Sequence, residues 1–140
     1  MFGEFDHVGF LVRDLDEAVA RAERSLSLSV VRTLELPQYG ISAAFLGLGR
    51  GTLEIFTIED PELRDPRLAG AEQRIDHTAF RVEELDGPAA TLRAGGVRFS
   101  GPDRRGEVPG PLELGGTRHI WTLPESSAGL ALQLIEAPRP

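Results

Sequence analysis

Three histidines occur in the 140 residues, and two of them sit at the same place in near-identical pentapeptides, "DHVGF" at 6–10 and "DHTAF" at 76–80. Imidazole is the side chain that changes charge near physiological pH and the commonest metal ligand. One histidine on a strand is usually structural, so the information lies in the pairing of His7 with His77. Glu54 is the third chemical group of interest, because it stands in the otherwise apolar run "TLEIF" and alternation puts it on one face with Thr52 and Phe56. A carboxylate buried without a partner is costly, so something cationic should meet it. The remaining histidine, His119, alternates with Ile120 and Trp121 in "RHIWTL" and is the first candidate for a general acid or base, although strand register decides which face it presents. Other chemistry is excluded. The chain has no cysteine, so it has no disulfide, thiolate zinc site or cysteine nucleophile. All 15 basic residues are arginine, which removes Schiff-base lysines and the usual P-loop lysine.

Those residues need a scaffold, and the chain supplies a duplicated one. Residues 6–20 and 76–90 align with identity at Asp6/Asp76, His7/His77, Phe10/Phe80, Val12/Val82, Leu15/Leu85, Asp16/Asp86 and Ala20/Ala90. Each copy opens with a strand, His7, Gly9 and Leu11 on one face and Val8, Phe10 and Val12 on the other. A helix follows over 14–25, with Asp14 as N-cap, Glu17 completing a capping box, and Leu15, Ala18, Val19 and Ala22 at helical spacing. Its counterpart runs from Leu85 to Ala94 and stops at Gly95-Gly96. Further strands are predicted at 28–36, 41–49 and 51–58, and at 96–101, 118–123 and 129–136, so each unit reads βαβββ. The charged stretch 59–75, with Pro61 and Pro66, reads as a connector, and 101–117, rich in glycine and proline, as a loose excursion or a lid. Asp6 and Asp76 read as strand-entry or turn residues.

With 41% hydrophobic residues the chain can fill one core, so 1–140 is expected to be a single domain. A net charge of −7 argues against a nucleic-acid partner. The start "MFGEFDH" lacks a basic region followed by an apolar run, and no apolar stretch nears the roughly 20 residues of a spanning helix. A cytoplasmic protein without membrane contact is expected.

Two βαβββ units with a histidine on the first strand of each resemble the vicinal oxygen chelate superfamily, whose members include glyoxalase I, methylmalonyl-CoA epimerases, extradiol dioxygenases and the bleomycin resistance proteins. The resemblance covers essentially the whole chain. It implies an α+β fold in which the modules 1–58 and 76–137, joined by the connector 59–75, form an open cup-shaped mixed sheet around a divalent metal ion. The first and last strands of each module would supply the ligands, which places them at His7, Glu54, His77 and Gln133. Two neutral imidazoles, a carboxylate and an amide oxygen suit Co, Mn, Ni, Zn or Fe without choosing among them.

Within the superfamily the chain is most similar to methylmalonyl-CoA epimerases, through "FDHVGFLVRDLDEAV", "LPQYGISAAFLGLGRGTLEIF", "RIDHTAFRVEELDGPAATLRAGGVRF" and "SAGLALQLIE". That resemblance implies an isomerase that removes the α proton of an acyl-CoA or related carbonyl substrate, stabilises the enolate and reprotonates it from the other face, which takes two bases. Both expected glutamates are replaced. The family's fourth ligand, which also serves as a base, is Gln133 here, and its other catalytic glutamate falls on Gln38; an amide takes no proton at neutral pH. Such epimerases often carry glutamine at the second ligand and glutamate at the fourth, so Glu54 and Gln133 keep the formal charge with the carboxylate in the opposite unit. The candidate proton carriers are therefore His119, Glu54, Tyr39 beside Gln38, and Glu35. A glyoxalase I-like lyase shares the ligand frame. A bleomycin-resistance-like protein would instead bind a small molecule without metal, using Trp121, Phe56 and Tyr39. The resemblance also implies a homodimer, while Arg104 and Arg105 read as solvated loop charges or partners of a CoA group.

Overall fold

The computed structural model describes residues 2–138. The chain forms two compact units, one spanning His7–Asp76 and the other built from the residues before His7 and those from His77 on. Both divisions fall inside the repeated Asp-His dipeptide.

In the first unit, the greater part of β1 (Glu4–Val12) is followed by α1 (Leu15–Leu26), β2 (Val30–Leu36), β3 (Ile41–Leu48), β4 (Gly51–Ile58) and α2 (Pro61–Leu68). The strands lie in the order β2-β3-β4-β1, antiparallel except for the parallel pair β1 and β4. Alternation gives the sheet two apolar faces. Val12, Ala44, Leu46 and Ile55 pack with Leu15, Ala18, Val19 and Ala22 of α1, whereas Leu11, Ala43, Phe45, Phe56 and Ile58 pack with Leu63 and Leu68 of α2. The α1 start follows the sequence reading: the Glu17 N–H donates to the Asp14 carboxylate at 3.1 Å. The connector is more ordered than its composition suggested. Asp60 accepts from the Glu62 N–H at 2.9 Å, Pro61 occupies the first helical turn, and Leu68 is fully buried, so part of 59–75 becomes the helix that covers a sheet face.

The second unit repeats the plan with the greater part of β5 (Gln73–Val82), then α3 (Asp86–Ala94), β6 (Phe99–Ser100), β7 (Glu107–Val108), β8 (Leu112–Leu114), β9 (Thr117–Thr122) and β10 (Leu132–Glu136). Its order is β5-β10-β9-β6-β7, with β8 on β9 and β5 parallel to β10. Val82, Leu85, Ala89, Phe99, Ile120 and Leu134 fill the core. The strand expected over 96–101 shortens to two residues, and the excursion over 101–117 is not loose. It opens with buried Gly101, Pro102 and Asp103, and contains β7 and β8, because Asp103 accepts from the Arg105 N–H at 3.1 Å and the following residues pair with β6 and β9. Leu85, at the N-cap of α3, makes no side-chain cap hydrogen bond; Glu84 accepts from the Gly87 N–H at 3.0 Å, and β10 supplies a second carboxylate. Glu136 accepts from the Leu85 N–H at 3.0 Å and from Arg118 at 2.9 Å.

The class is mixed α+β, as the sequence indicated. No helix among the described residues is long and apolar enough to cross a membrane.

Candidate functional site

In the first unit, the register of β1 against β4 pairs His7 with Thr52 and Gly9 with Glu54, which puts the imidazole and the carboxylate on one face. Both are buried, with side-chain exposures of 2% and 11%, and His7 Nε2 lies 3.9 Å from Glu54 Oε2. That separation is too long for a hydrogen bond. Two donors on one four-coordinate ion stand about 3.3 Å apart for bond lengths near 2.0–2.1 Å, so a small side-chain rotation would bring both onto a common ion. Phe45, opposite Glu54 on β3, packs its ring edge-on to His7 at 5.4 Å. The Arg32 guanidinium lies 3.6 Å over the same ring, a cation on this face that the sequence reading did not single out.

In the second unit, Ala79 pairs with Gln133 across β5 and β10, and Gln133 with Trp121 across β10 and β9. Alternation from those pairs puts His77, Gln133, His119 and Trp121 on one face, with Leu134 and Ile120 on the core side. His77 and Gln133 are buried. Gln133 Nε2 is 3.1 Å from His119 Nδ1, His119 Nε2 is 2.6 Å from Thr117 Oγ1, and the Thr117 hydroxyl donates to the Leu114 carbonyl at 3.1 Å. Trp121 stacks on His119, ring centroids 5.2 Å apart and 11° from parallel. The Gln133 amide oxygen is buried and has no hydrogen-bond partner among the described residues. An acceptor left in that condition costs free energy unless something electropositive meets it, and a metal ion is such a partner.

Each sequence-nominated residue therefore has a place. His7 and Glu54 meet in the first unit, as Gln133 and His119 do in the second, where His77 shares their face. Gln38 and Tyr39 lie in a 3₁₀ turn, Pro37–Tyr39, between β2 and β3; Gln38 is exposed, and Tyr39 packs against the cluster containing Leu11 and Ile41. The β3–β4 ladder separates the Ile41/Ile58 pair from the Phe45/Glu54 pair by four residues, about 13 Å at roughly 3.3 Å per residue. Glu35 accepts from the Ser42 hydroxyl at 2.6 Å on an exposed surface. Thr117 was not singled out, although it lies two residues from His119 on β9; its bearing on Gln133 appears only once the β9–β10 register puts His119 beside that residue. Asp6 and Asp76 are more than turn residues: Asp76 takes a two-bond ion pair from Arg67, at 3.1 and 2.8 Å, and Asp6 lies 3.2 Å from Arg81.

A profile of the Glyoxalase/Bleomycin resistance protein/Dioxygenase superfamily matches residues 6–110. The chain is 28% identical over 140 residues to human mitochondrial methylmalonyl-CoA epimerase, covering 96% of this chain and 74% of the human protein. Among solved structures, methylmalonyl-CoA epimerase from Mycobacterium tuberculosis superposes with a TM-score of 0.79 at 25% identity, over 98% of this chain and 89% of that one. A variant of the Streptomyces coelicolor methylmalonyl-CoA epimerase in complex with 2-nitronate-propionyl-CoA gives a TM-score of 0.82 at 21% identity, over 99% of this chain and 100% of that one.

Proposed function

We propose that this chain, which belongs to the glyoxalase/bleomycin resistance protein/dioxygenase superfamily, is a metal-dependent epimerase acting on a 2-carboxyacyl-CoA of the methylmalonyl-CoA type. One observation carries the reading: His7, Glu54, His77 and Gln133 are buried polar residues, in a chain similar along nearly its whole length to methylmalonyl-CoA epimerases. Each of His7, Glu54 and His77 offers a ligand atom, and the partnerless amide oxygen of Gln133 offers a fourth.

The donor chemistry fits a borderline divalent ion. When bound, the ion supplies a Lewis acid for the carbonyl oxygens of a chelated thioester. His7 and His77 would hold the ion as neutral rings, Glu54 would offset part of its charge, and Gln133 would contribute an oxygen without charge. The apolar side chains around His7 and Glu54 exclude water and raise the strength of every charge interaction there. Glu54 is also the one member of the set that can accept the α proton of the substrate, since an amide cannot. Epimerisation would be completed by a second acid that delivers a proton to the opposite face of the α carbon, where Glu54 cannot reach. The enzyme is proposed to be a cytoplasmic homodimer, checked by light scattering.

The test combines metal analysis with isotope exchange. Protein purified without chelator should carry near-stoichiometric transition metal and should incorporate deuterium at the α carbon of methylmalonyl-CoA in D₂O, and His7→Ala should lose both. Metal without exchange on any of a panel of 2-substituted acyl-CoAs would leave a binding protein. Absence of metal would overturn the reading altogether.

A further inference from the structure

A carboxamide ligates a divalent ion only through its oxygen, because its NH₂ group has no lone pair to offer. Gln133 can therefore serve as a ligand in one of its two flip states, and something must select that state. The chain of contacts through β9 does so. The Thr117 hydroxyl has one proton, and because the Leu114 carbonyl at 3.1 Å can only accept, both hydroxyl contacts are hydrogen bonds only when that proton goes to the carbonyl. Toward His119 Nε2, at 2.6 Å, the same oxygen can then only accept, so Nε2 carries the ring proton. In a neutral ring that leaves Nδ1 as a bare acceptor. The Gln133 atom 3.1 Å from Nδ1 must accordingly be the NH₂ group. The amide oxygen is turned the other way, to the buried position where it has no partner among the described residues. The opposite flip would set two acceptors against each other at 3.1 Å. Stacking on Trp121 at 5.2 Å holds the imidazole plane in the orientation this relay needs.

We propose that His119 is a positioning residue whose Nε2–H tautomer, set by Thr117, fixes the flip state of Gln133 so that the amide oxygen is presented as a metal ligand. The inference rests on the metal reading given above, and it assigns His119 to orientation of a ligand in place of proton transfer to substrate. Outer partners that orient a ligand typically change metal affinity about 10–100-fold when removed.

The experiment uses the full chain at pH 8 with Co²⁺ as the probe. In metal-free protein labelled with ¹⁵N at histidine, long-range ¹H–¹⁵N spectra should give His119 the Nε2–H pattern, assigned by its disappearance in His119→Phe. Thr117→Val removes the hydroxyl that sets the tautomer, and Thr117→Ser retains it. Calorimetry should show Co²⁺ bound about 10-fold or more weakly by Thr117→Val, and with near-parental affinity by Thr117→Ser. His119→Phe should weaken binding at least as much. An Nδ1–H tautomer in the parent protein, or equal Co²⁺ affinity for Thr117→Val and Thr117→Ser, would overturn the proposal while leaving the metal reading intact. Failure of the parent protein to bind Co²⁺ would remove the metal reading and this proposal with it. A merely structural role for Thr117 would move neither the tautomer nor the difference between valine and serine.

Discussion

The two Asp-His dipeptides are identical in sequence, yet neutralising their aspartates should have very different consequences. Asp76 and Arg67 form a buried pair, with side-chain exposures of 5% and 11% and two parallel bonds at 2.8 and 3.1 Å. Arg67 also lies over Phe56, 5.8 Å from the ring centroid. Asp76→Asn would remove a bidentate counter-charge from a largely buried guanidinium, and breaking a buried pair usually destabilises by about 3–5 kcal/mol. Asparagine still offers one acceptor, which favours the lower end, about 3 kcal/mol, or a fall in Tm of roughly 6–12 °C for a chain near this size. The equivalent pair in the other copy, Asp6 with Arg81 at 3.2 Å, has exposures of 21% and 47%. Solvent screens it, so Asp6→Asn should cost about 1 kcal/mol or less. Urea unfolding of the two single variants measures the difference directly, and replacing both members of the buried pair, Asp76→Leu with Arg67→Met, should recover much of the loss. Equal losses for the two aspartates, or a larger loss at Asp6, would refute the argument that burial separates them.

Two further predictions concern the core and acid stability. Leu134, next to Gln133 on β10 and facing the core side, is fully buried, and Leu134→Ala should lower the unfolding free energy by about 2–5 kcal/mol, read from the midpoint of urea denaturation at unchanged slope. Hydrogen bonding from Arg64, opposed by partial burial and aided by the charges of Arg64 and Arg13, holds the Asp65 carboxyl below its ordinary range. A depressed carboxylate stabilises the fold above its unfolded value and loses that contribution as pH falls through the folded one. Asp65→Asn should therefore be less stable than the parent at neutral pH and converge with it below about pH 4, as followed by thermal melts across pH.

Much of this architecture could be read from the chain because it is written in short-range signals. The Asp14 cap, the helical spacing of Leu15, Ala18, Val19 and Ala22, and the alternation around Glu54 are each set by neighbours within a few residues, and the structure reproduces them. Repetition extended the reading to the second copy and located His77 before any fold was known. The helix within the connector is not evident from its charged, proline-containing composition. What makes α2 a helix is the burial of Leu63 and Leu68 on a sheet face that the local sequence does not reveal. The α3 start lies within one residue of its sequence reading, and what the local sequence does not reveal is the second carboxylate there, Glu136, which comes from a strand 51 residues away.

The site shows the same division more sharply. Residue type and repeat position were enough to single out His7, His77 and Glu54, and the family resemblance added Gln133, but the role of His119 depended on a register. With Gln133 opposite Trp121, and His119 opposite Ile135, the imidazole falls on the glutamine's side of the sheet; a slip of one residue would have turned it into the core with Ile120. That placement also changes what the substitution of an amide for an acid at 133 means. A carboxylate offers equivalent oxygens and needs no one to choose between them, whereas an amide has a right and a wrong end. The glutamine therefore requires a neighbour that can tell donor from acceptor. A histidine held in one tautomer by Thr117 meets that requirement, and a second carboxylate in its place would not have needed the relay at all.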